Sequence, residues 1–231
     1  PKMALSQVNL KHSDEPELQL ELLNQAVLQV QMDLDALAMR FQDAVQIDSQ
    51  SIFDIYQHIL AVTEAAELPV MVYNVPGRTG VKLEFDTLKR LADHPRILAV
   101  KDATGDVAAG FVKMAETGLE YYSGDDGLNF AWLAHGASGV VSVAGHVIAS
   151  QLRDLVSEVD AGDLPAARAE AVKQLPVINA IMGGGQGAVM AKEALKLLGV
   201  IPSATLRLPL VGASQSQIAA LAATLRAEGL M

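Results

Sequence analysis

Residues 69–80 read PVMVYNVPGRTG. Four apolar residues run straight into Tyr73, and a Pro, a Gly and the single Arg78 follow. A short apolar run bounded by turn residues reads as a buried strand, and the second half as the tight loop at its exit. Upstream, SIFDIYQHILAVTEAAE (51–67) has helical period. Downstream, KLEFDTLKRLADH (82–94) is helical again and ILAVKDA (97–103) is a second strand. VAAGFVKMAETG (107–118) is a helix and LEYYSG (119–124) a strand. GLNFAWLAHGA (127–137) is a helix and GVVSVAG (139–145) a fourth strand. Strands alternating with helices over short connections predict a parallel α/β sheet covered by helices. The strands are apolar along their whole length, the pattern of parallel strands buried on both faces.

Beyond Gly145 the period stays helical. HVIASQLRDLVSEVDAG (146–162), LPAARAEAVKQLPVINAIM (164–182), GQGAVMAKEALKLLG (185–199) and SQSQIAALAATLRAEG (214–229) make a helical extension over 146–231. Residues 1–48 differ from both parts, with no Gly and few turn signals. Leu20, Leu23, Val27, Val30, Leu34, Leu37, Phe41 and Ala44 fall on one helix face, and Asp14 and Glu17 suit its start. One long amphipathic helix over 15–45 is expected. Its flanking positions lack the charge pairing of a dedicated coiled coil, so an interface or bundle-like helix is favoured. The divisions are therefore 1–48, 49–145 and 146–231.

The 231 residues are 51% apolar and 19% charged with only 4% aromatics, so the core is aliphatic. A net charge of −10 argues against a nucleic-acid surface, which needs clustered Lys and Arg. The chain has no cysteine, which excludes thiolate metal sites and disulfides and fits a cytoplasmic location. No apolar run approaches the ~18–20 residues of a membrane span. The five histidines show no metal-ligand spacing. Gly183, Gly185 and Ala188 match G-x-G-x-x-A, but no clear strand precedes them and no acid follows in SATLRLPL (203–210). A turn into a helix is the better reading. Asp125 and Asp126 suit a helix cap.

In parallel α/β folds the working groups stand at the carboxyl ends of strands. Lys101 follows four apolar strand residues directly. An amine kept from water loses charge readily and can then condense with a ketone or aldehyde to a Schiff base. The alternative is a lysine that snorkels to water or is paired in a salt bridge with Asp102 or Asp125. Tyr73, on a neighbouring strand, stands within side-chain reach and can pass protons during dehydration; the alternative is a core tyrosine bonded to backbone. Arg78 can grip a carboxylate with two parallel hydrogen bonds, or stand in solvent.

YNVPGRTG (73–80), LAVKDATGD (98–106), YYSGDDGLNF (121–130), GVVSVAGHV (139–147) and KLLGVIPSATLRLPL (196–210) occur in that order. With these segments, residues 49–231 resemble the dihydrodipicolinate synthases, class I pyruvate aldolases grouped with N-acetylneuraminate lyase. The resemblance implies a (β/α)8 barrel with a C-terminal helical extension, present here only as the units equivalent to strands five to eight. It implies a lyase of lysine and diaminopimelate biosynthesis that condenses pyruvate with aspartate semialdehyde. Lys101 would form the Schiff base, Tyr73 would relay protons and Arg78 would bind the carboxylate of the aldehyde. Gly124 and Val141 match positions that shape the pyruvate pocket. Arg78 also favours this activity over a sugar-acid aldolase. No cofactor is implied, and the partners are the two small substrates and a homo-oligomer.

The family's Thr-Thr-Gly-Glu signature, which donates to the pyruvate carboxylate, has no counterpart in this sequence. The tyrosine that completes the relay across the family's tight dimer interface has none either. An inactive half-barrel relative serving a structural role is the alternative function. Half a barrel also leaves two sheet edges and an apolar face uncovered. Cover is expected from helix 15–45 or from pairing of two half-barrels.

Overall fold

The computed structural model describes residues 49–183 and 186–231. The helix expected over 15–45, His12, and part of the Gly183–Ala188 stretch lie outside them. Helix α1 (Ser49–Ala65) leads into strand β1 (Val70–Asn74), followed by the one-turn helix α2 (Pro76–Thr79) and by α3 (Phe85–Ala92). Strand β2 (Ile97–Asp102), helix α4 (Val107–Thr117) and strand β3 (Glu120–Ser123) come next. A 3-10 turn (Asp126–Leu128), helix α5 (Asn129–Ala134) and the two-residue strand β4 (Gly139–Val140) complete the alternation. The order is the one expected from the apolar periods.

Three details differ. Arg78 sits in a one-turn helix where a tight loop was expected. Pro76 starts that turn at its first position and Gly80 ends it at φ 71°, because proline is preset for a first turn and glycine tolerates the left-handed region. Strand β4 is shorter than GVVSVAG suggests. From Ser142 onward the chain is bonded to the Asp126 carboxylate instead of to β3. The strands are also not buried on both faces.

The four strands are all parallel, in the order β1-β2-β3-β4. Tyr73 pairs with Lys101, Lys101 with Tyr122, and Tyr122 with Gly139. Because side chains alternate along a strand, this row shares one face. Val72, Val100 and Tyr121 point to the other face and are fully or nearly fully buried. There they pack with Leu88, Leu91 and Trp132, and with Ile55 and Ile59 of α1. A register shift between Val70 and Met71 accommodates Leu98. On the opposite face Met71, Tyr73 and Leu98 are 41%, 40% and 50% exposed.

Residues Ile52–Met231 form one unit. Its second core joins helices α6 (Gly145–Asp160), α7 (Leu164–Met182), α8 (Gly187–Leu197) and α9 (Gln215–Ala227). Ile148, Leu152, Ile178, Ile181, Met190 and Leu225 meet there. Ser214 and Gln217 form a capping box that starts α9. Leu133, Leu155 and Ala167, with Phe130 and Val140, link this bundle to the sheet.

Tyr121 carries a pH prediction. Burial, ahead of the nearby Asp102 charge, pushes its phenol up from 10.0 to about 12. A raised acid pKa contributes stability that is whole below the unfolded value and lost as pH rises through the folded one. Unfolding free energy therefore falls between about pH 10 and 12, by up to about 3 kcal/mol for a two-unit shift. Tyr121→Phe has nothing to ionise, so its denaturation midpoint should decline less over that window. A parallel decline in both proteins would rule Tyr121 out as the source.

Candidate active site

Lys101 is the penultimate residue of β2, and Tyr73 holds the matching place on β1. Both project to the open face near the carboxyl ends of their strands. The Lys101 Nζ lies 4.1 Å from the centroid of the Tyr73 ring. At that distance the electron-rich ring face holds the nitrogen in place. Lys101 is half-buried and makes no ion pair among the described residues. Among the described residues neither Asp102 nor Asp125 pairs with it. Asp102 turns to the other face, where its Oδ1 accepts from Thr104 N at 2.8 Å and Thr104 Oγ1 at 2.7 Å. Asp125 accepts from Gly127 N at 3.1 Å and caps the 3-10 turn.

Gly124 follows β3 and stands against the same lysine. A Cβ on it would lie 3.0 Å from Lys101 Cε and 2.9 Å from the Asp102 carbonyl oxygen. Any side chain at 124 would displace the lysine stem. Val141 follows β4, donates its N–H to Ser123 O at 2.8 Å and leaves its side chain partly exposed. Arg78 is exposed on α2 and free of ion pairs among the described residues. The structure thus brings Lys101, Tyr73 and Gly124 together, with Val141 and Arg78 on the segments that leave β4 and β1. Among the described residues no group of three His, Asp or Glu is placed to hold a metal ion. No helix among them is long and apolar enough to cross a membrane.

Asp126 has a larger part than the helix cap read from sequence. Nearly fully buried, its Oδ2 accepts from Val143 N and Ala144 N, both at 2.9 Å. Its Oδ1 accepts from Ser142 Oγ and, at 3.3 Å, from Asn129 Nδ2. Ser142 Oγ in turn accepts from Gly145 N at 2.8 Å. One carboxylate therefore sets the path of the chain just after Val141 and starts α6. Asp126→Asn keeps the shape but turns a donor toward backbone donors. It should destabilise the fold by about 1–3 kcal/mol, read as a lower urea midpoint. An unchanged midpoint would show that the clamp is dispensable. Spacing alone does not reveal this role, because the partners lie 16 to 18 residues away.

A further phenol stands in the row beside Lys101. Tyr122 donates to Glu120 Oε2 at 2.9 Å, and that bond pushes its pKa up.

Residues 49–228 match the family model described as the dihydrodipicolinate synthetase family. The chain belongs to this family. It is 48% identical over 174 residues to 4-hydroxy-tetrahydrodipicolinate synthase of Bifidobacterium longum, covering 75% of this chain and 58% of that one. It is 48% identical over 173 residues to the enzyme of that name from Kineococcus radiotolerans, covering 75% and 56%. Among solved structures, dihydrodipicolinate synthase from Thermotoga maritima superposes with a TM-score of 0.74 at 33% identity, over 78% of this chain and 62% of that one. The chloride-inhibited synthase of Acinetobacter baumannii complexed with pyruvate gives 0.74 at 34%, over the same shares. The chain spans under three fifths of the length of these curated relatives.

Proposed function

We propose that the chain is a Schiff-base lyase that condenses pyruvate with aspartate semialdehyde in lysine and diaminopimelate biosynthesis, the activity implied by its resemblance to the dihydrodipicolinate synthases. The observation that supports this most directly is the Lys101 nitrogen seated on the Tyr73 ring at the carboxyl ends of two paired parallel strands. In this reading residues 49–145 are the half of a (β/α)8 barrel equivalent to strands five to eight, and 146–231 the helical extension.

The chemistry follows from the groups present. The Lys101 amine adds to the ketone carbon of pyruvate. Tyr73 passes protons to the carbonyl oxygen, which leaves as water, and an iminium forms. The iminium withdraws electrons, so a methyl proton departs and an enamine results. Its carbon attacks the aldehyde carbon, making the new bond. The aldehyde oxygen takes up a proton and becomes a hydroxyl, and the amino group of the aldehyde substrate adds to the iminium carbon and expels the Lys101 amine. Arg78 holds the aldehyde substrate by its carboxylate. Gly124 leaves room for the lysine stem, and Val141 with Gly124 shapes the pyruvate pocket.

Borohydride reduction in the presence of pyruvate, followed by peptide mass spectrometry, tests the first step. The expected result is a single reduced adduct on Lys101. The exposed face beside Lys101 favours a second reading, an inactive half-barrel with a structural role. Absence of any adduct would select it.

A further inference from the structure

Strand β1 ends on a buried amide. By strand alternation the Asn74 side chain shares the covered face with Val72, and the residue is 1% exposed. An amide taken from water is tolerated through the hydrogen bonds it makes. The Asn74 Oδ1 makes one that reaches nine residues along the chain, accepting from Leu83 N at 3.2 Å. Leu83 itself lies in the same core as Val72 and Leu88. The Asn74 backbone is committed as well. Asn74 pairs with Asp102, and its carbonyl accepts from Ala103 N at 2.9 Å. One residue therefore joins the exit of β2, just past Lys101, to the far end of the stretch 75–82 that carries Arg78.

That stretch is also tied within itself. Arg78 N donates to Val75 O and Gly80 N to Pro76 O, both at 2.9 Å. Thr79 Oγ1 donates to Val81 O at 2.8 Å and accepts from Val81 N at 3.4 Å. A surface segment without such ties opens readily. A guanidinium on an opening segment gives up the advantage of a clamp fixed in advance.

We infer that Asn74 is a positioning residue for Arg78: with Thr79 across the turn, it fixes where the guanidinium stands relative to the Lys101 amine. The site then favours aldehydes that carry a carboxylate at the matching distance. This inference rests on the proposed Schiff-base chemistry and on Arg78 as the group that holds the aldehyde substrate.

The test uses the full chain beside Asn74→Ala and Thr79→Val. Borohydride trapping of pyruvate on Lys101 reads the first step. Condensation with aspartate semialdehyde reads the second, and propanal, an aldehyde without a carboxylate, is the control. The expected result is an unchanged rate of pyruvate trapping in both variants. The KM for aspartate semialdehyde should rise about 10-fold in Asn74→Ala and about 3-fold in Thr79→Val. Reaction with propanal should be equally slow in all three proteins, and the Leu83 amide should exchange faster in Asn74→Ala. Thr79 is exposed, so its valine variant keeps the fold and decides alone if Asn74→Ala does not fold.

An unmoved KM for aspartate semialdehyde overturns the inference. So does an equal loss with propanal or in pyruvate trapping, which would place the effect on the amine or on the fold. A chain that traps pyruvate but condenses with neither aldehyde overturns it while the imine chemistry stands. A chain that traps no pyruvate removes the proposed function first, and this inference with it.

Discussion

Lys101→Arg yields no borohydride-trapped pyruvate and lowers any condensation by about 10³-fold or more. Arginine keeps the length and charge of the side chain, but its guanidinium stays protonated and cannot add to a ketone. The substitution breaks no ion pair, because Lys101 has none among the described residues. A cation over the Tyr73 ring is retained as well. Loss of the adduct would therefore report chemistry and not collapse, provided the thermal midpoint stays within a few degrees. Tyr73→Phe is the companion measurement. It preserves the ring beneath the nitrogen and removes the phenol, so the adduct should still form at a rate about 10²- to 10⁴-fold lower. Trapping at an undiminished rate would remove Tyr73 from the proton path. Trapping on another lysine in the arginine variant would remove Lys101.

Trp132→Ala is expected to cost about 3–5 kcal/mol of folding stability, read by urea unfolding. The indole is wholly buried and lies along the Tyr121 ring, with centroids 6.0 Å apart and planes 17° apart. It also presses on helix α4. A Cβ at Gly110 would fall 2.0 Å from its Cη2 atom. Glycine inside a helix costs about 1 kcal/mol relative to alanine, and the approach of the ring explains its presence there. Gly110→Ala should thus destabilise by about 1–3 kcal/mol despite its better helix propensity. In a Trp132→Phe background the same change should cost less, since the smaller ring withdraws from α4. Equal cost in both backgrounds would show that contact with the ring is not why residue 110 is glycine.

The alternation of strand and helix was readable because its causes are local. Runs such as ILAV and VMV have no helical stripe, and Asp106 and Gly118 bound α4 as a cap and a left-handed stop. The pairing of Tyr73 with Lys101 followed from both standing at strand exits. Other features depend on partners far along the chain. Asp125 and Asp126 look alike in sequence, yet one caps a turn and the other holds the backbone at 143 and 144. Asp102 adjoins Lys101 but faces away from it, as strand alternation requires. Met71 and Val72 are equally apolar, and only the positions of the helices decide that the second is buried and the first is not. The turn at Arg78 was legible in principle, since Pro76 and Gly80 punctuate it, but a four-residue helix is too short to show a period.

The amine, its ring platform and the neighbouring phenol come from three strands and are united only by pairing, Tyr73 to Lys101 to Tyr122. A slip of β2 by a single residue would turn the nitrogen inward among Leu88, Leu91 and Trp132, an apolar setting that disfavours an ammonium. Misaligned chains are thus penalised by the very group that reacts. Labelling of Lys101 by an amine reagent could therefore count correctly threaded molecules during refolding.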